Sequence, residues 1–111
     1  MDRIEYADFT KLDLRVGKIL VSEAIPDADR LIRMEVDVGE DQPRQIVAGM
    51  KKYYQPEELT GKTVVVLVNL EPKKIRGYLS DGMILAASTS GFETVKLLTI
   101  EGELSAGCKI S

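Results

Sequence analysis

The chain has no histidine, a single cysteine and no long uninterrupted apolar run. Without histidine the usual proton shuttle of neutral pH is missing, every classical Ser-His-Asp arrangement is excluded, and the ordinary zinc ligand sets cannot be assembled. Cys108, being alone, cannot form an internal disulfide and has no histidine to activate it. Its expected role is a small buried hydrophobe or an inert surface thiol, at home in a reducing compartment. No charged leader followed by an apolar stretch opens the sequence, so no signal peptide is expected. Nothing approaches the roughly 18–20 continuous apolar residues that a helical bilayer span needs, so no membrane is expected either. An excess of positive charge is lacking as well. Fifteen basic residues face 18 acidic ones, a net charge of −3. That argues against indiscriminate polyanion binding but not against a local cationic face.

What is present reads as a folded chain. At 111 residues, 44% hydrophobic and 30% charged, the length supports one hydrophobic core and composition is not that of a disordered segment. Residues 1–111 are read as one domain, with no low-complexity tract and no internal repeat.

The pattern along the chain is mostly that of strands. Leu12 to Ile25 suggests a long, bent strand with Gly17 where the backbone curls closely, ended by turn chemistry at Pro26-Asp27-Ala28-Asp29. Ile32, Met34, Val36 and Val38 alternate with Arg33, Glu35 and Asp37, the period of two of a half-buried strand. Gln45 to Ala48 follows a turn as a third strand. Between Met50 and Leu59, Pro56 before Glu57 and Glu58 suits the first turn of a short helix closed by Gly61. Thr63 to Leu70, nearly all valine and leucine, predicts a strand buried on most of its surface. Met83 to Ala87 reads as a fifth strand, Thr94 to Ile100 alternates less cleanly, and Gly107 to Ile110 suggests a short final strand. Strands without long crossover helices fit a small all-β barrel. A five-stranded OB barrel with a helix between strands 3 and 4 matches this layout, as do other small barrels.

Catalytic candidates are weak. Asp27 and Asp29 pair carboxylates in a turn and read as backbone-capping residues, with too few oxygen ligands nearby for a cation site. Glu101 and Glu103 read as a solvated loop. Ser80, Ser88 and Ser90 lack a triad partner, and Gly77 and Gly82 do not spell a phosphate-cradling motif. No catalytic residue, metal or cofactor is expected.

The informative stretch runs from Asn69 to Met83. It places Lys73, Lys74 and Arg76 within a few residues, against Glu71 and Asp81. Lysine suits phosphate oxygens as a point charge, and arginine grips phosphate with two donors or stacks on a base. Asn69 and Ser80 could add hydrogen bonds that tell RNA features from plain charge. The competing reading is a solvated basic hairpin whose lysines keep a β edge soluble. Both stand open on the residues alone. Lys51-Lys52 precede Tyr53-Tyr54, tyrosines that read as partly buried helix anchors more readily than as stacking platforms. Arg33 and Arg30 could extend a phosphate-facing patch or pair with Glu35 or Asp37.

At these segments the chain resembles a known family. DFTKLDLRVGKI (Asp8 to Ile19), PDADRL (Pro26 to Leu31), PRQIVAGM (Pro43 to Met50), KKYYQPEELTGKTVVVLVNLEPKKIRG (Lys51 to Gly77) and SDGMILAAS (Ser80 to Ser88) are similar, in order and spacing, to the tRNA-binding domain at the C terminus of bacterial methionyl-tRNA synthetases. That domain also occurs in synthetase-associated cofactors and as stand-alone tRNA-binding proteins. The resemblance implies an OB barrel that recognises the folded L-shape of tRNA without catalysis, a homodimer formed through segments outside the barrel, association with an aminoacyl-tRNA synthetase, and a cytoplasmic setting. It implies that Asn69, Lys73, Lys74, Arg76, Ser80 and Met83 lie on the tRNA face, with Arg33 and Lys51 as further members. Tyr78-Leu79-Ser80-Asp81 departs from the valine and glutamate usual before the serine in bacterial relatives. A related branch comprises dimeric, export-associated chaperones that bind peptides. Gly82-Met83 and the lysine-rich loop lean toward the tRNA branch.

Overall fold

The bent strand at the start of the barrel organises everything else. In the computed structural model, which describes residues 1–111, a helical turn α1 (Tyr6–Phe9) leads into β1 (Leu14–Ala24). There follow β2 (Ile32–Asp37), β3 (Arg44–Ala48), the helical turn α2 (Pro56–Leu59), β4 (Thr63–Leu67), β5 (Lys73–Ile75), β6 (Tyr78–Ser80), β7 (Met83–Ile84), β8 (Ala86–Ser88), a 3-10 turn (Ser90–Phe92), β9 (Val95–Leu97) and β10 (Lys109–Ile110). The first half of β1 pairs antiparallel with β4 and its second half with β2, so that Lys18 faces Thr63 on one side and Asp37 on the other. A register shift between Ile19 and Val21 bends the strand, as a bulge does. Gly17 sits at the bend for a steric reason. A Cβ there would come within 2.7 Å of a Val66 methyl and 3.0 Å of a Val36 methyl.

The sheet order β3-β2-β1-β4-β7 is that of a nearly closed, antiparallel OB-like barrel of five strands. Closure between the outer strands is made by single bonds instead of a ladder. Asp81 N donates to Gln45 O at 2.8 Å. Side chains complete the seam, as described below. The alternating strand behaves as its period requires: Ile32, Met34 and Val36 are buried, while Arg33 and Glu35 are only half-buried. Ile19, Ile46, Val64 and Val66 join them in the main core. Removing such side chains from water contributes about 1.5–3 kcal/mol each.

The short helix lies where the proline-acidic signal put it, between β3 and β4. Glu58 Oε1 accepts a 2.7 Å bond from Gln55 N, which satisfies one helix-entry donor. Its Leu59 is fully buried and plugs the barrel. Gly61, at φ +91°, turns the chain into β4.

The valine-rich strand is covered on both faces. Val64 and Val66 point into the barrel, while Val65 and Leu67 pack with Leu14 under Phe9, Leu85 and Ile110. That double burial explains a run of apolar residues without alternation. The strand expected over Met83 to Ala87 is divided in two. Met83–Ile84 pairs with β4, whereas Ala86–Ser88 pairs with β9. Leu85 lies at the junction and bonds to both sides, Leu85 N to Val65 O at 3.0 Å and Leu98 N to Leu85 O at 3.1 Å. At the C terminus β10 pairs with the start of β1, Leu14 opposite Ile110. Cys108 is half-buried beside it with a free thiol. No helix is long and apolar enough to cross a membrane.

Candidate nucleic-acid interface

The basic stretch folds into a two-stranded hairpin, β5–β6, in which Lys73 faces Ser80, Lys74 faces Leu79 and Ile75 faces Tyr78. Its two turn residues, Arg76 and Gly77, have φ of +52° and +83°, the left-handed pair that matches the twist of a tight hairpin. Ile75 and Tyr78 rest against Ile25, Ala28 and Val47. This third apolar cluster docks the hairpin on the β1–β2 turn and on β3. Lys73, Lys74 and Arg76 remain exposed. None of them enters any of the chain's ion pairs, which engage Lys11, Arg15, Arg33, Arg44 and Lys109.

The polar residues expected beside those cations are occupied within the protein. Ser80 is 6% exposed. Its Oγ accepts from Val47 N at 3.0 Å and donates to Val47 O at 3.5 Å, taking the place of a strand partner for β3. Asn69 accepts from Asp13 N at 2.8 Å and donates through Nδ2 to Lys11 O at 2.7 Å. It thereby latches the segment before β1 to the end of β4, just where the hairpin departs. Arg33 is held by three partners: its Nε donates to Gln45 Oε1 at 2.7 Å, and its two terminal nitrogens reach Glu23 at 3.1 Å and Glu35 at 3.0 Å. Gln45 passes the connection on, donating through Nε2 to Leu79 O at 2.8 Å. Arg33 therefore braces the hairpin backbone through Gln45 with its charge matched locally.

Lys51 is half-buried, and its amide donates to Arg30 O at 3.2 Å, which joins the turn after β3 to the β1–β2 turn. Met83 is 43% exposed on β7. Tyr53 and Tyr54 are half-buried anchors. The Tyr53 hydroxyl donates to Phe92 O at 2.6 Å, and the Tyr54 oxygen accepts from Leu97 N at 3.2 Å. The structure thus brings Lys73, Lys74, Arg76, Ser80 and Met83 to the β5–β7 region. Arg33 lies across the β2–β3 surface, and Asn69 at the hairpin root. The bonding roles of Asn69 and Ser80 were hidden in sequence because their partners lie on distant elements, whereas the Arg33–Glu35 pair was one of the readings the sequence offered.

A second polar constellation adjoins the hairpin root, sharing Asp13 with Asn69. Asp13 accepts from Arg15 Nε at 2.6 Å and from Lys109 Nζ at 3.2 Å. Arg15 also donates to Gly107 O at 3.1 Å. The Arg15 bond, with help from Lys109, holds the Asp13 carboxyl below its ordinary value. Arg44 grips Glu40 with two donors, at 2.8 and 2.9 Å, and lowers its pKa in the same way. Arg44 further donates to Val68 O at 2.6 Å. Every cation in this cluster is spoken for by carboxylates and carbonyls, so the group braces the tail and the β4 exit.

Against known proteins the match is broad. The family model described as "Putative tRNA binding domain" covers residues 14–109. A methionine–tRNA ligase of Methanosarcina mazei is 51% identical over 107 residues, which is 96% of this chain but 15% of that protein. The chain therefore spans a small part of the curated relatives that it matches. Among solved structures, a MetRS-related protein from Pyrococcus horikoshii superposes with a TM-score of 0.93 at 34% identity, with full coverage of both chains. The chaperone CsaA of Bacillus anthracis superposes at 0.89 and 36% identity, covering 99% of this chain and all of the other.

Proposed function

The chain belongs to the tRNA-binding domain family, and from that premise we propose that it docks folded tRNA through the β5–β6 hairpin without catalysing a reaction. The observation that carries this reading is the set of three cations, Lys73, Lys74 and Arg76, left free of ion pairs on a hairpin whose backbone is pinned by Ser80 and Gln45. Charge held on a rigid element needs little reorganisation to meet phosphate. Lys51 and Met83 extend the contact surface. Asn69, Ser80 and Arg33 act by fixing its shape. Residues 1–111 work as one binding unit, either as a stand-alone factor or as an appendage of methionyl-tRNA synthetase. In either setting the unit raises the local concentration of tRNA at a catalytic centre located elsewhere. The reading places it in the cytoplasm, where aminoacylation takes place. A homodimer would present two hairpins at a fixed distance. The exposed Phe92 and Leu104 of the C-terminal third supply apolar surface for that pairing.

The test is the triple replacement of Lys73, Lys74 and Arg76 by alanine, titrated with folded tRNA at several salt concentrations. Affinity should fall at least about tenfold, and the dependence of log K on log salt should flatten by about 2–3 units. A folded triple variant with wild-type affinity and slope would sink the assignment. Sedimentation of the same protein settles the dimer.

A second reading has its own support. The likeness to CsaA, together with the exposed side chains of Leu79 and Met83, favours a peptide-binding surface on the same side of the barrel. Competition by an unfolded polypeptide at salt concentrations that leave tRNA without effect would select it.

A further inference from the structure

Beside the hairpin tip lies a cleft of about 340 Å³, lined by Asp27, Ala28, Asp29, Arg30, Leu31 and Arg76. Its charged lining residues Asp27, Asp29, Arg30 and Arg76 are exposed, so it is an open recess suited to one unit of a larger ligand and not an enclosed pocket. Its chemistry is unusual for a surface turn. Two guanidinium groups and two carboxylates share the cleft, yet none of the four takes part in an ion pair or a side-chain hydrogen bond within the chain. Elsewhere on this protein, Arg15, Arg33 and Arg44 all satisfy themselves on neighbouring carboxylates. Two of the three non-glycine residues with left-handed backbone, Asp27 at φ +61° and Arg76 at +52°, are among the lining residues. Such a conformation costs about 1–2 kcal/mol per residue and persists only where the surroundings determine it. Here they do. Ala28 and Ile25 below the cleft pack with Ile75 and Tyr78 of the hairpin, and Arg30 O is bonded by Lys51 N. The walls are therefore built on fixed backbone.

We propose that this cleft receives a single ribonucleotide unit of the bound RNA, its phosphate held between Arg30 and Arg76 and its ribose 2′-hydroxyl donated to the carboxylates of Asp27 and Asp29. The inference deepens the tRNA-docking reading and rests on it. Paired guanidiniums suit a phosphate, which accepts several charge-assisted bonds at once. The carboxylates would repel that phosphate if they did nothing else. They are acceptor-only groups, and the donor that distinguishes RNA from DNA is the 2′-hydroxyl. Phosphate and ribose donor are adjacent in every ribonucleotide, as the two charge types are in the cleft. The site would thus supply chemical discrimination that lysines on the hairpin cannot.

Signs separate the possibilities. The full chain and the variants Arg30→Gln, Asp29→Ala and Asp27→Gly with Asp29→Ala are titrated with an unmodified tRNA transcript and with a DNA oligonucleotide of the same sequence. Glycine at position 27 tolerates the positive φ, and thermal melts establish that each variant is folded. Arg30→Gln should weaken tRNA binding about five- to tenfold and reduce the salt slope by about one unit. Asp29→Ala and the double variant should also weaken tRNA binding and narrow the preference for RNA over DNA. Tighter tRNA binding on loss of the carboxylates, an unchanged RNA-to-DNA ratio, or wild-type affinity in Arg30→Gln would each overturn the proposal. A Lys73→Ala, Lys74→Ala variant measured alongside separates the two levels. If it loses affinity while the cleft variants do not, the cleft alone fails. If the wild-type chain does not bind tRNA, both readings fall.

Discussion

Gly39 and Gly107 meet backbone to backbone. A Cβ built on Gly39 would lie 2.7 Å from the Gly107 Cα, and one on Gly107 would lie 2.9 Å from the Gly39 Cα. Both residues have strongly positive φ, +85° and +95°. The turn after β2 and the segment entering β10 can cross only because neither carries a side chain. Gly107 N is bonded to Val16 O at 2.8 Å, so the crossing also fixes the tail against β1. Replacement of either glycine by alanine combines left-handed strain with overpacking against backbone that cannot yield. The expected loss is about 2–4 kcal/mol, read by denaturant unfolding. The double alanine variant should cost less than the sum of the single ones, because separating the two backbones to seat one methyl also makes room for the other.

Acid should loosen the same end of the barrel. The Asp13 and Glu40 carboxyls are lowered, chiefly by their bonds to Arg15 and Arg44. A carboxylate depressed on folding contributes stability above its unfolded pKa and loses it as pH falls through its folded value. The contribution is therefore complete at neutral pH, begins to decline below about pH 5, and vanishes once both groups are protonated. Asp13→Asn should be less stable than wild type at pH 7, and the difference should close on acidification. Unfolding curves at pH 7 and in the acid range check this, and a constant difference would refute it.

Ser80 separates the hairpin's support from its charge. Removing its hydroxyl strands Val47 N–H in a buried position, at a cost of about 1–3 kcal/mol. Ser80→Ala should melt earlier and, with the hairpin no longer pinned to β3, bind tRNA a few-fold more weakly at an unchanged salt slope, since no charge is removed. A loss of affinity without a loss of stability would instead place the hydroxyl on RNA.

Arg76 is a residue whose conformation and chemistry pull in opposite directions. Asparagine followed by glycine is the preferred pair for a turn with two positive φ values. Arg76→Asn should accordingly stabilise the protein by about 0.5–1 kcal/mol while weakening tRNA binding severalfold. Calorimetry and titration on the same sample would show both changes, and a variant that is neither more stable nor weaker in binding would contradict the assignment.

The main elements were legible where one physical rule dominated. Ile32 to Asp37 declared itself by alternation, Pro56-Glu57-Glu58 by helix-entry chemistry, and Gly17 by the bend it permits. Thr63 to Leu67 was legible as buried, although not the reason, since Phe9, Leu85 and Ile110 arrive from remote parts of the chain to cover its second face. The helical turn at Tyr6–Phe9 is too short for periodicity to reveal. The division of the fifth strand at Leu85 depends on Val65 and Leu98, which engage its N–H and its carbonyl and come near it only in the folded chain. At the candidate site the cations were readable as charge, and whether they meet phosphate or only keep a β edge soluble stayed open because exposed lysines serve both purposes. The pairing of Arg33 with Glu35 was one of the two roles its sequence neighbours allowed, whereas the internal bonds of Asn69 and Ser80 could not be read, because Asp13 and Val47 come near them only after the barrel closes.

The pairing of β1 with β10 has a consequence for synthesis. Leu14 emerges from the ribosome well before Ile110, so one edge of β1 stays uncovered while the intervening strands are made. Loop closure over such a separation is slow relative to local hairpin formation. The β1–β2 and β5–β6 hairpins can form on the nascent chain, whereas the glycine crossing and the Asp13–Lys109 contact must wait for the tail. A nascent chain stalled before Gly107 should therefore remain a protease-sensitive partial barrel, and its exposed strand edge is the natural place for a chaperone to bind.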